Sequence, residues 1–346
     1  MFFFKVTYRL LSAMIPIILV TACSTGTIPE RRTDKIYFLS NRDAEKREFD
    51  IFSMNPDGSE QRNLTRHTPG IRSYSKPCIS HDGKTILFVT LHELKKSIQS
   101  LTIRDSLATT LTELQVLPPT LCFSPDDHTI LFTDQVDGKS QIFTIDHDGS
   151  NKRNLSNNEY DNLKPAFSPD GSLICYEMRQ GNNTSVAMMR SDGTEQIVLT
   201  SDGGNEADPS FSPDGKHILF SSDRNETVDI FLIKISNRKV TPIYTEKTTD
   251  QNPQFMPDGK SIIFISDFRG KTCRDVLLLE LKTQKPLWLT KTENRLNHNP
   301  IVFPDGTAVL FETSDFINTD IIKVDLQDLT HKNLSNHPRW DILPAL

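Results

Sequence analysis

The sequence predicts an all-β fold, a seven-bladed β-propeller of four-stranded blades. Three observations carry this expectation: a short phrase recurring every 44 residues, apolar runs without a helical period, and incomplete units at the two chain ends that complete each other.

The phrase is Ser-His-Asp-Gly at 80–83, Ser-Pro-Asp-Asp at 124–127, Ser-Pro-Asp-Gly at 168–171 and 212–215, Met-Pro-Asp-Gly at 256–259 and Phe-Pro-Asp-Gly at 303–306. Its Asp positions (82, 126, 170, 214, 258 and 305) step by 44 four times and by 47 once. Three residues before the Ser column stand Pro77, Leu121, Pro165, Pro209, Pro253 and Pro300. Two positions after that Pro column come Ile79, Phe123, Phe167, Phe211, Phe255 and Val302, and eleven after it Phe88, Phe132, Tyr176, Phe220, Phe264 and Phe311.

Each unit reads as four strands. The first is the Pro-x-Phe-Ser segment, expected to begin at Pro, where a missing donor costs least. Pro-Asp-Gly is a turn, with Pro presetting one dihedral and Gly supplying positive φ. The second strand is a run such as Ile218-Leu219-Phe220, whose consecutive apolar residues indicate burial on both faces. It often ends in a turn like Ser222-Asp223-Arg224, and the third strand resembles Asp229–Ile233. Asp-Gly hairpins follow at 57–58, 148–149 and 192–193. The fourth strand ends in Leu64-Thr65, Leu155-Ser156, Leu199-Thr200, Leu289-Thr290 or Leu334-Ser335.

Pro344, 44 residues after Pro300, opens a unit of which only a first strand remains, with Leu346 in the aromatic column. Segments 36–38, 50–54 and 62–65 supply second, third and fourth strands that lack a first. Joining them gives a seventh blade from 341–346 plus 34–65. The alternative is six blades, with the N-terminal strands packed elsewhere.

Residues 1–22 read as a lipoprotein signal peptide: Lys5 and Arg9, an apolar core from Leu10 to Val20, then Leu19-Val20-Thr21-Ala22-Cys23, which resembles a bacterial lipobox. That resemblance implies cleavage before Cys23 and acylation of its thiol and amine; two or three acyl chains anchor stably where one does not. Ser24, where the sorting rule would need Asp for inner-membrane retention, implies an outer-membrane lipoprotein facing the periplasm. Residues 23–33 are the lipidated Cys and its tether, and 34–346 the propeller.

Composition excludes several classes. The 346 residues carry 39 Lys plus Arg against 45 Asp plus Glu, a formal charge of −6, and no basic block, which argues against nucleic-acid binding. Twenty Phe in regular columns exclude disorder. No stretch in the body approaches the ~20 apolar residues of a membrane span.

The pattern Pro-x-Phe-Ser-Pro-Asp-Gly-Lys-x-Ile-x-Phe-x-Ser, closely matched by 209–224, resembles the TolB-like propeller repeat, over about 36–346. TolB proper carries an α/β domain before its propeller, which residues 24–33 are too short to hold, and is soluble and six-bladed. The resemblance therefore implies a propeller-only lipoprotein relative. It also implies partners in envelope-integrity complexes, among them peptidoglycan-associated lipoproteins.

No Gly-x-Ser-x-Gly elbow, His-Glu-x-x-His, Walker A loop or dinucleotide fingerprint occurs, so no catalytic residue is assigned. The repeated Asp of Pro-Asp-Gly caps its own turn. Asp267 with Arg269, and Asp223 with Arg224, read as turn-stabilising pairs, and His81, His128, His147 and His217 as solvated turn residues. The binding candidates precede the inner strands and are expected at one mouth of the central channel: Asp161, Asn162, Glu206, Asp208, Asp250, Asn297, His298 and Asp341. Converging carboxylates there would suit a hard cation such as Ca²⁺ or a basic or polar peptide; otherwise no metal or cofactor is expected. Cys78, Cys122 and Cys175 read as small core residues and Cys273 as an exposed-loop thiol.

The function expected is a non-catalytic, lipid-anchored periplasmic scaffold that binds an envelope protein or peptide. The alternatives are a carbohydrate-active lyase or glycosidase with its site at the mouth, and a ring that only spaces other envelope components.

Overall fold

The computed structural model describes residues 35–346, apart from 44–48, 66–75, 93, 117–119, 202–203, 268–272, 292–294 and 316–317. The expected signal peptide, Cys23, the tether and Arg269 lie outside the described residues. Among the described residues the chain forms seven four-stranded antiparallel sheets and no helix. Blades 1 to 6 are residues 78–114, 121–154, 161–198, 206–244, 250–288 and 296–333. Blade 7 joins Asp341–Ala345 to Ile36–Ser40, Asp50–Met54 and Arg62–Asn63. Blade 3 shows the plan: Asp161–Phe167 innermost, then Leu173–Gln180, Asn183–Arg190 and Ile197–Val198. Seven blades, closed by both chain ends, replace the six-bladed alternative.

The uninterrupted apolar runs follow from the ring. Each second strand lies between two neighbouring blades, so both of its faces need apolar side chains. Ile218 and Phe220 pack toward Cys175, Val186 and Leu199 of blade 3, while Leu219 packs toward Phe264 and Leu277 of blade 5. One such cluster fills each of the seven junctions, and fully burying one of these large side chains contributes ~1.5–3 kcal/mol.

The repeated polar columns tie strands together. Ser168 Oγ donates to Asp170 Oδ1 at 2.6 Å and accepts the Leu173 N–H at 2.9 Å, so the Asp caps its own turn as expected. In the Leu-Thr and Leu-Ser column, Thr200 Oγ1 accepts the Val186 N–H at 3.0 Å, and Thr65, Ser156, Thr290 and Ser335 repeat that bond. The Asp-Gly hairpins press on the preceding blade. A Cβ on Gly193 (φ +89°) would stand 2.9 Å from the Leu155 carbonyl oxygen, and one on Gly58 (φ +83°) 2.9 Å from that of Leu334, which leaves room only for glycine.

The inner strands differ from expectation. In blades 3 to 7 they begin three or four residues before Pro rather than at it, as in Glu206–Phe211 and Asp161–Phe167, whereas in blade 1 Cys78–Ile79 follows Pro77 directly. The residue just before Pro sits at positive φ: Lys164 (46°), Asp208 (55°), Asn252 (53°), Asn299 (48°) and Leu343 (51°). The strand register shifts there, so Pro follows a bulge, where the ladder is already interrupted and no donor is needed.

Three residues before Pro lies a polar column of almost no exposure: Asn162, Glu206, Asp250, Asn297 and Asp341. Glu206 accepts a 2.8 Å bond from Arg224, and Asp341 one of 2.7 Å from Arg42. Each guanidinium also lies over two rings of its own blade, Arg224 over Phe220 and Phe231, Arg42 over Phe38 and Phe52. The Arg42 clasp joins the two ends of the chain, with Trp340 N–H donating to Asn41 Oδ1 at 3.0 Å beside it. Thr248 Oγ1 donates to Asp250 at 2.7 Å. Burial nevertheless pushes the Asp250 carboxyl up to about 7, and Asp229 and Asp267 push in the same direction.

Two predictions follow from this frame. Deleting residues 341–346 strips blade 7 of its inner strand and opens the two clusters it seals, so no folded ring is expected. Asp341→Ala alone, leaving Arg42 buried without its carboxylate, should cost about 3–5 kcal/mol. Thermal melts check both, and an unchanged Tm would show that closure does not depend on the clasp. The Asp250 carboxyl holds its proton to higher pH in the folded chain than its unfolded value near 3.8. Its ionisation therefore removes stability as pH rises from about 4 toward 7, by roughly 1.4 kcal/mol per unit. Asp250→Asn should match the parent at pH 4 and exceed it increasingly up to pH 7, in urea unfolding; a pH-independent difference would contradict the assignment.

Candidate functional site

The blades run in one sense between two faces. Pro-Asp-Gly turns and Asp-Gly hairpins lie on one, the turn face; the starts of the inner strands lie on the other, the mouth. The expected mouth residues divide by their position along the strand. Glu206, Asp250, Asn297, Asp341 and Asn162 are turned into the frame, as described above. Asp161 is half-buried and accepts the Ser140 N–H of blade 2 at 2.8 Å, which makes it a brace between blades. Asp208, in the bulge column, receives Lys164 Nζ at 2.7 Å across the neighbouring blade. His298, two before Pro300, is half-buried with Arg274 Nη1 3.5 Å from its Nδ1. The candidates therefore do not converge, and among the described residues no three His, Cys, Asp or Glu side chains are placed to hold a metal ion.

Around the axis, two buried acids outside the expected set bind the bulges. Glu177 Oε1 accepts the Asp208 N–H at 2.9 Å and faces Lys164 at 3.1 Å. Three blades on, Glu312 Oε1 accepts the Leu343 N–H at 2.8 Å and the Asn299 amide at 2.6 Å. Burial pushes the Glu312 carboxyl up, partly opposed by Asn299, the Leu343 N–H and Lys76. Burial likewise raises Glu206 and Asp341 despite their arginines. Glu177 and Glu312 each follow the aromatic column by one residue, and that repeated acid was the available sequence signal.

Other expectations shift in detail. Asp223 does not pair with Arg224; it accepts the Asn205 N–H at 2.6 Å, because Arg224 is drawn inward to Glu206. Asp267 accepts the Thr249 N–H at 2.6 Å, and its expected partner Arg269 lies outside the described residues. His81 is paired with Asp127 at 2.7 Å, whereas His128 and His147 are exposed. Cys175 is buried, Cys78 and Cys122 are half-buried, and Cys273 is half-buried rather than exposed; none of the four forms a disulfide.

What the mouth does bring together lies on blade 5. A cavity of about 250 Å³ is lined by Thr249, Gln251, Ile265, Asp267 and Arg274. Arg274 is held by its main chain: the Asn297 N–H donates to the Arg274 carbonyl at 3.2 Å, and the Arg274 N–H to Arg295 at 3.4 Å. Its side chain is exposed and has no ion pair among the described residues. Burial, and then the Arg274 charge, hold His298 below its usual range. On the turn face a groove of about 320 Å³ between blades 2 and 3 is lined by Asp126, Arg153, Asp170 and Asp192 among others.

Three comparisons place the chain among known proteins. The family profile described as the TolB beta propeller domain matches residues 153–340, more than half of the sequence. A search of curated proteins gives no match. Among solved structures, TolB from Acinetobacter baumannii is similar with a TM-score of 0.59 at 16% identity, over 92% of this chain and 68% of that one. An oligogalacturonate lyase from Vibrio parahaemolyticus aligns with a TM-score of 0.63 at 14% identity, over 86% and 84%. A puromycin-hydrolysing peptidase from Mycobacterium tuberculosis aligns with 0.67 at 15%, over 88% of this chain but only 52% of its own. Identities this low speak to the fold, while the profile match speaks to the family. The chain belongs to the TolB beta propeller domain family.

Proposed function

We propose that this propeller is a lipid-anchored recognition scaffold of the bacterial envelope, binding a protein or peptide at its mouth and performing no bond chemistry. The observation that carries the reading is where the buried acids of the first and second strands point. Glu206 and Asp341 are clasped by arginines, and Asp250 is bonded by Thr248. Glu177 and Glu312 receive main-chain N–H groups of the next blade. In this chain these acids hold the ring together.

Strand direction supports the arrangement. Ile36–Ser40 runs from the turn face toward the mouth, with Tyr37 opposite Ala345 and Ser40 opposite Asp341. A segment preceding Lys35 therefore joins the ring at the turn face. An acyl anchor on Cys23 would set that face toward the outer membrane and leave the mouth turned into the periplasm. The resemblance to TolB-type propellers favours an envelope protein, such as a peptidoglycan-associated lipoprotein, as partner.

Two measurements test the reading. Cys23→Ala should move the full chain from the membrane to the soluble periplasmic fraction. Photo-crosslinkers at Gln251 and Arg339 of the mouth should capture an envelope protein in living cells, while one at Lys216 of the turn face should not. Capture from the turn face alone would reverse the reading, and product release from oligogalacturonate by the purified chain would replace it with the enzymatic one.

A further inference from the structure

We infer that the blade 5 cavity is a recognition site for a single carboxylate of a peptide, with Arg274 as the anchor and His298, beside Arg274, as a second donor. This rests on the mouth being the recognition surface and names the chemistry it reads.

Arg274 is the centre of the argument. Two mouth arginines, Arg42 and Arg224, are engaged by Asp341 and Glu206 and lie over aromatic rings. Arg274 has no such carboxylate among the described residues, yet its main chain is bonded on both sides by blade 6, through Asn297 and Arg295. A guanidinium positioned by the frame, with no ion pair among the described residues, is arranged for an external anion. His298 adds to it. Arginine can only donate, so at 3.5 Å the His298 Nδ1 is the acceptor and the ring proton sits on Nε2. Beside a fixed positive charge and half-buried, the ring stays neutral, and its Nε2–H is a further donor. The Gln251 amide completes the set on the lining, with Ile265 offering an apolar wall.

The same cavity limits the ligand. Asp267 lies on the lining, its Oδ1 already accepting the Thr249 N–H, so a second negative charge on the ligand would face a like charge. A dense polyanion such as a polyuronate is therefore disfavoured. Among the described residues no aromatic side chain lines the cavity for a sugar ring to stack on. About 250 Å³ is below the ~300–1,000 Å³ of sites that enclose whole small molecules, and suits one acidic side chain or chain end.

NMR titration of the full chain in mild detergent tests this with three synthetic peptides. Acetyl-Gly-Ala-Glu-Ala-Gly-amide carries a side-chain carboxylate. The same peptide with Gln carries none, and its free-acid form carries a terminal carboxylate. At least one carboxylate peptide should bind ten-fold or more tightly than the Gln amide, and which one does tells side chain from chain end. Arg274→Ala should lose that ten-fold and Arg274→Lys about half of it on a logarithmic scale, because a point charge replaces a planar fork. His298→Gln, which keeps a neutral donor, should stay within three-fold of the parent, whereas His298→Phe should weaken binding three-fold or more. Equal binding of the Gln peptide, or an unaffected Arg274→Ala, overturns the inference, and digalacturonate displacing the peptides at lower concentration overturns its peptide assignment. Failure here with envelope capture intact would leave the scaffold reading standing; peptide binding without capture would do the reverse.

Discussion

A linear array of four-stranded sheets would leave two unpaired edges and two bare apolar faces, and closure removes both problems in one step. Everything in this chain is consistent with that constraint. The last five-residue strand, Asp341–Ala345, pairs with the first described one, Ile36–Ser40, and Leu346 enters the cluster between blades 6 and 7. Side-chain bonds that span 299 residues, Arg42 to Asp341 and Asn41 to Trp340, seal the same junction. Because each blade supplies both walls of its own second strand's neighbours, losing the seal at one junction weakens the next, and stability becomes a property of the ring rather than of a blade.

Departures from the repeat are informative in the same terms. On the turn face, successive turns stack so that Gly171 of blade 3 lies against Pro125 of blade 2, and Gly215 against Pro169. Between blades 1 and 2 both members of the pair are changed. His81 replaces Pro and Asp127 replaces Gly, at φ 60°. The two changes answer each other: His81, unlike Pro, has an N–H, and Asp127 Oδ1 accepts it at 2.7 Å while Oδ2 accepts that of Asp82 at 2.9 Å. A carboxylate bonded to two main-chain donors offsets the strain of a non-glycine residue in the left-handed region. The two substitutions, seen separately, look like decay of the motif, and only the 45-residue contact shows them to be one device.

Fold and site were legible to different degrees for a physical reason. Strand order, blade number and the closing blade follow from apolar columns whose spacing is set by the repeat, and those columns are local. The mouth was not legible because adjacent residues on a strand face opposite ways. Asn297 and His298 are neighbours in sequence, but the bonds of Asn297 hold the frame while His298 meets Arg274. The bulge at Asn299 then shifts the register, so counting back from Pro300 as if the strand began there misjudges which residues are free. Cross-blade partners such as Lys164 with Asp208, or Glu312 with Leu343, are separated by 44 and 31 residues and leave no local trace.

What distinguishes a structural charge from a recognising one in this molecule is therefore not its residue type or its place in the motif but whether the ring supplies its counter-charge. Arg42 and Arg224 occupy corresponding places after the second strands of blades 7 and 4, each with a buried acid from the inner strand beside it. Blade 6 offers Asn297 in that inner-strand column, a neutral side chain whose amide is taken by the Arg274 carbonyl and Thr290. An amide there can hold the Arg274 backbone but cannot neutralise its guanidinium.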